Sequence, residues 1–175
     1  MKSVLLCLYL CVPCVAQDLK VYAIDVEGGK STLYVSPSGQ SLLVDAGYGG
    51  NGRDADRIVA AARAAGVAQI DYLVITHYHV DHIGGVPGLA ARMQIRNFVD
   101  HGQNFETVKD NASLYGAYVA VRAKGNHIVV KPGDRIPVEG MRVDVVTASG
   151  QAIVNPLGRR AAKSALRRIQ TARSG

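Results

Sequence analysis

The chain has 175 residues and a mass of 18.6 kDa, with 48% hydrophobic and 19% charged residues, which excludes a disordered chain and fits one globular domain better than two. Its 20 basic and 14 acidic residues give a formal charge of +6, yet Arg159, Arg160, Lys163, Arg167, Arg168 and Arg173 all lie in an acid-free C-terminal stretch, and the remaining 14 basic residues balance the 14 acids. A neutral body gives no electrostatic reason to expect nucleic-acid binding, so any such binding would have to come from the tail.

At the N-terminus, Lys2 precedes the apolar run Val4 to Val12, then Pro13 and Cys14-Val15-Ala16. A short basic start, an apolar stretch too short to span a bilayer and small residues at the cleavage position predict a signal peptide over 1–16, cut after Ala16. The protein is then secreted or periplasmic, with no transmembrane segment in the mature chain. Because Cys7, Cys11 and Cys14 are the only cysteines, the mature chain has no disulfide, and any metal site in it must use His and carboxylate.

Lys20 to Val26, Ser31 to Ser36 and Ser41 to Ala46 are β-rich runs separated by Gly28-Gly29 and Pro37-Ser38-Gly39, the pattern of a three-stranded meander. From Arg53 to Ala65, Ile58, Val59, Ala62 and Ala65 recur at helical spacing, with Gly66 placed to end the helix. Asp71 to Thr76 is a continuous apolar run, as in a central strand. A Gly/His-rich loop follows, then a short helix near Val86 to Met93, a strand from Ile95 to Val99 and a longer helix from about Glu106 to Ala123. His127 to Val130 and Met141 to Thr147 are expected to pair, with turns at Lys131-Pro132-Gly133-Asp134 and Glu139-Gly140. This order predicts an α/β (α+β) domain over 17–154, a mixed sheet with helices packed on it. Residues 155–175 form a basic tail, read as a solvated helix or a frayed end.

The chemistry concentrates in His77-Tyr78-His79-Val80-Asp81-His82-Ile83-Gly84-Gly85, directly after the apolar strand. Four potential ligands at the end of a buried strand are costly unless a divalent cation compensates them. In an extended loop i and i+2 share a side, so His77 and His79 can take one ion while the turn sends Asp81 and His82 towards a second. Imidazole and carboxylate without thiolate suit zinc, with iron or manganese as alternatives. The spacing is not HExxH, and neither a Gly-x-Ser-x-Gly elbow nor a free cysteine competes for the chemistry. Gly84 and Gly85 let the backbone turn tightly into the next helix without side-chain interference.

The HxHxDH pattern after a hydrophobic strand resembles the metallo-β-lactamase-fold superfamily. Ile24-Asp25-Val26-Glu27-Gly28-Gly29, Leu42-Leu43-Val44-Asp45-Ala46-Gly47 and Ile70 to Thr76 running into the histidines resemble in particular its competence-protein branch, the hydrolase domain also attached to bacterial DNA-uptake channels. The resemblance extends over about Leu19 to Thr147. It implies an αββα sandwich, His77 and His79 on a first metal ion and Asp81 and His82 on a second. Asp81 is also the catalytic candidate, and Asp45 would orient the histidine loop or simply cap a strand end. The implied activity is that of a metal-dependent hydrolase using a dinuclear, zinc-type site on a small-molecule or phosphodiester substrate.

Two departures accompany the resemblance. Glu27-Gly28-Gly29-Lys30 stands where that branch has Gly-Gln-Gly-Asp. The family's bridging Asp and last His are also without counterpart, since only His101 and His127 follow His82. His101, after a strand, is a candidate ligand or substrate contact, and His127 is read as structural. The chain is accordingly expected to represent the N-terminal half to two-thirds of the fold and to be prone to self-association. Two further readings stay open: a non-catalytic metal-binding remnant, and a nucleic-acid or membrane-surface module acting through the basic tail.

Overall fold

The computed structural model describes residues 17–105 and 109–155. The leader expected over 1–16 and, apart from Asn155, the basic tail lie outside the described residues. Three short strands come first, β1 (Lys20–Ala23), β2 (Thr32–Val35) and β3 (Ser41–Val44), paired antiparallel in sequence order. Helix α1 (Arg53–Ala64) then carries the chain back so that β4 (Ile70–Val74) lies parallel to β3. Two short helices, α2 (Val80–Ile83) and α3 (Val86–Ala90), lead to β5 (Ile95–Asp100), and α4 (Lys109–Arg122) leads to β6 (Asn126–Val129). β5 and β6 continue the parallel run, giving a six-stranded mixed sheet in the order β1-β2-β3-β4-β5-β6.

The residue pattern explains the layers. Side chains alternate across a strand, so Leu33, Leu43, Leu73 and Phe98 face one side, where they bury against Ile58, Ala62, Leu89 and Tyr118 of the helices. Tyr34, Leu42, Val44, Tyr72, Val74 and Val99 face the other side, against Ile136, Val138 and Val143. These last three residues come from β7 (Arg135–Ile136), β8 (Val143–Asp144) and the loop between them. A second small hairpin follows, β9 (Thr147–Ala148) with β10 (Gln151–Ala152). Asp54 and Asp56 in the first turn of α1 complement its dipole, and Gly66 at φ 76° closes it.

The α/β architecture agrees with the expectation, and one pairing does not. His127 to Val130 does not pair with Met141 to Thr147. β6 instead fills the free edge of β5 in parallel, because the α4 crossover returns the chain to the same end of the sheet. The 141–147 stretch is divided between β8 and β9, each bonded to its own short partner. No helix among the described residues is long and apolar enough to cross a membrane.

Candidate metal centre

Three adjacent parallel strands end at one edge of the sheet, and each delivers part of the site. Asp45 directly follows β3, Thr76 and the histidine loop follow β4, and Asp100 closes β5 with His101 after it. Crevices at the carboxyl ends of parallel strands are the usual place for ligands in such sheets. The ladder continues past the strands through Asp45 N–H to Val74 O at 2.9 Å and Ile75 N–H to Val99 O at 2.9 Å, so the three loops leave in fixed register.

Asp45 is fully buried, with its backbone in the left-handed region at φ 59°. Its Oδ1 accepts the Thr76 N–H at 2.8 Å, its Oδ2 accepts the Thr76 hydroxyl at 2.8 Å, and the same Oδ2 lies 2.8 Å from His82 Nδ1. One carboxylate thus holds both the backbone after β4 and the His82 ring. A carboxylate only accepts, so His82 donates from Nδ1, and in the neutral ring this leaves the Nε2 lone pair for a metal, the arrangement that metal-binding imidazoles use. Thr76 also reaches His77 Nδ1 at 3.1 Å. Sequence reasoning passed over Thr76, although a hydroxyl-bearing residue at the junction of an apolar strand and the first histidine was the available signal.

The His77 ring lies 3.8 Å from that of His82 and 4.6 Å from that of His79, measured between centroids. Asp81 Oδ2 lies 3.4 Å from His82 Nε2. Asp81 and His82 stand on the short helix α2, which brings His82 back over His77. Desolvation pushes the His77 pKa down and the neighbouring His82 and His79 rings push it further, which favours the neutral, ligating form. Among the described residues no group of three His, Cys, Asp or Glu side chains already stands in a geometry that would hold an ion. The His77 ring packs edge-on to that of His79 and tilted against that of His82. In chemical type the donors fit a divalent cation, with imidazoles and a carboxylate at hand and one imidazole already held by a buried carboxylate.

Glycines bring the supporting loops into backbone contact. A Cβ on Gly29 would lie 2.7 Å from Asp81 O, one on Gly49 would lie 2.8 Å from Gly84 O, and one on Gly85 would overlap the Ala46 carbonyl oxygen. Lys30 N–H bonds Asp81 O at 3.1 Å and Ala46 N–H bonds His82 O at 2.8 Å.

His101 shares with His77 a cleft of about 720 Å³, further lined by Phe105 and the β9–β10 hairpin. The Ser149 hydroxyl donates to His101 O at 3.0 Å. His127 points elsewhere: its Nε2 lies 2.9 Å from Asp100 Oδ1. Asp100, 1% exposed, also accepts from Tyr118 OH and Arg122 at 2.7 Å each and from Gly102 N–H at 2.8 Å. Burial pushes the Asp100 carboxyl up, but Tyr118, His127 and Gly102 together hold it below its ordinary value.

The family model described as the metallo-beta-lactamase superfamily matches residues 24–157, so the chain belongs to that superfamily. It is 37% identical over 68 residues to a ribonuclease Z of Bradyrhizobium sp. (strain ORS 278), covering 39% of this chain and 21% of that protein. A ribonuclease Z of Methanopyrus kandleri is 28% identical over 115 residues, 63% of this chain and 37% of that protein. A UPF0173 metal-dependent hydrolase of Staphylococcus saprophyticus is 37% identical over 65 residues, 37% of this chain and 25% of that protein. The matched stretches span well under half the length of these curated relatives. Among solved structures, the Rm3 metallo-beta-lactamase superposes with a TM-score of 0.50 at 17% identity, covering 78% of this chain and 55% of that chain. That likeness supports the mixed α/β fold alone.

Proposed function

We propose that the chain is a metal-dependent hydrolase domain in which His77 and His79 hold one ion and Asp81 and His82 a second, zinc being the metal the donors suit best. The observation that carries this reading is His82 Nδ1 on the buried carboxylate of Asp45 at 2.8 Å, with the His77 ring 3.8 Å away. When bound, such ions supply charge that acidifies water and polarises the bond under attack. The protein's own part is orientation. Asp45 and Thr76 fix His82 and His77, the Lys30 N–H restrains the backbone at Asp81, and the His101 cleft offers room for substrate beside His77. Asp81, on this reading, would serve as a metal ligand and not as a nucleophile.

The relatives named ribonuclease Z put a phosphodiester on the list of substrates to try, beside lactam, thioester and lactone. The competence-type stretches in the first half add nothing more specific, because Glu27-Gly28-Gly29-Lys30 departs from that branch. The test is zinc content per purified chain, measured with the substrate panel, for wild type and His77→Ala, His79→Ala, Asp81→Ala and His82→Ala. We expect each substitution to lower zinc content, because a lost ligand leaves the others incompletely compensated. Unchanged zinc in all four variants rejects the assignment. Zinc bound without turnover of any substrate selects the non-catalytic reading.

A further inference from the structure

Tyr78 sits between the two leading histidines and is 2% exposed, whereas His79 is exposed, as expected where successive residues face opposite sides. Its phenol donates to Gly102 O at 2.5 Å, and Tyr115 OH reaches the same oxygen at 3.2 Å. The His101 ring packs on Tyr78 with centroids 4.5 Å apart. Gly102 is itself fixed, since its N–H bonds Asp100 Oδ1 at 2.8 Å, and Asp100 is gripped by Tyr118, Arg122 and His127. A continuous run of buried and part-buried hydrogen bonds therefore leads from α4 and β6, through Asp100 and Gly102, to the residue flanked by His77 and His79. Asp45 holds the histidine loop from the β3 side, and this cluster holds it from the β5 side.

We propose that Tyr78 is a positioning residue: by tying the histidine loop to Gly102, its buried phenol sets the direction in which His77 and His79 leave the backbone and couples the His101 loop to them. The consequence for metal binding rests on the reading given under Proposed function, whereas the anchoring itself does not. A tyrosine buried only to fill space would keep its effect when the hydroxyl is removed and the ring retained. An anchoring tyrosine would not.

The test compares Tyr78→Phe with Tyr72→Phe in the whole chain. Tyr72 OH donates to Pro137 O at 2.9 Å on the opposite side of the sheet, so its loss is a matched tyrosine-to-carbonyl deletion away from the site. Amide hydrogen exchange is read in metal-free protein at His82 and Ile83, whose N–H groups bond His79 O at 3.0 Å each, with β3 amides as the internal reference. Cobalt(II) titration then gives affinity and the visible absorption band. We expect Tyr78→Phe to speed exchange at those two amides about 10-fold, to weaken cobalt binding about 10-fold and to change the band shape. Tyr72→Phe should do none of these. Exchange at His82 and Ile83 unchanged in Tyr78→Phe, or sped equally in β3 or in Tyr72→Phe, overturns the proposal. A wild-type chain that binds no cobalt instead removes the metal reading, and the exchange comparison still decides the role of Tyr78.

Discussion

At Asp45 the backbone is left-handed, φ 59°, while the carboxylate serves Thr76 and His82. The two properties separate on substitution. Asp45→Ala and Asp45→Gly both remove the carboxylate, and each should weaken zinc binding about 10- to 100-fold in a competition titration. Only alanine keeps a Cβ in the disfavoured region, so Asp45→Gly should be the more stable of the two by about 1 kcal/mol in urea unfolding. Equal midpoints would show that the turn is not held against its preference. Asp100 lends itself to a pH test. Its folded-state pKa lies below the ordinary 3.8, so the carboxylate contributes stability that is complete above that value and fades as pH falls through the lower folded-state value. The stability difference between wild type and Asp100→Asn should accordingly shrink as the pH falls below about 4. A difference that does not change with acidification contradicts this account. Asp45 and the histidine motif were visible in the sequence because strand, acid and histidines follow a local pattern. The partners of Asp100 were not, because they come from α4 and β6, and nothing local announces that a strand-end aspartate will meet Tyr118, Arg122 and His127.

Among the elements, the turn from α2 into α3 shows what its two glycines provide. Gly84 and Gly85 were expected to let the backbone turn tightly without side-chain interference, and their φ values, −58° and −76°, are ordinary helical ones. Space is what they provide: a Cβ on Gly84 would run into Val80 O and Gly49 N, and one on Gly85 into Ala46 O. Gly116, in the middle of α4, has nothing within 4 Å of the place a Cβ would occupy. Gly85→Ala should therefore cost about 1–3 kcal/mol through overpacking, while Gly116→Ala should stabilise by about 0.5–1 kcal/mol through helix propensity. Thermal melts of the two variants check both signs, and a stable Gly85→Ala would refute the close approach of the α2 and β3 loops. The meander was legible because its β-rich runs are separated by Gly28-Gly29 and Pro37-Ser38-Gly39, although only β2 alternates in burial, while β1 is largely exposed and β3 is buried on both faces. The placement of β6 was not, since a four-residue strand of sequence Asn-His-Ile-Val has no signature of its partner, and only the α4 crossover decides that it lies parallel to β5.

Over the whole molecule, β3, β4 and β5 run parallel, and the loops bearing Asp45, the histidines and His101 all emerge from the same edge. The opposite face of the sheet carries Leu42 and Val99 beneath the β7–β8 hairpin, so the site and the second core stand on one scaffold. The mixture of pairings has a consequence in time. β1, β2 and β3 meet across short turns, whereas β3 finds β4, and β4 finds β5, only after the chain has passed through helices and paid the entropy of closing longer loops. The antiparallel corner can form early, but the edge that gathers Asp45 beside His82 exists only once the parallel pairs have closed. During refolding from urea, recovery of zinc-binding capacity should consequently lag behind the early far-ultraviolet signal of strand formation. Stopped-flow circular dichroism beside a zinc-indicator dye would show the two phases, and simultaneous recovery would mean that sheet and site assemble in one step. A newly made chain would thus spend an interval with its first strands in place and its histidines still unable to act together.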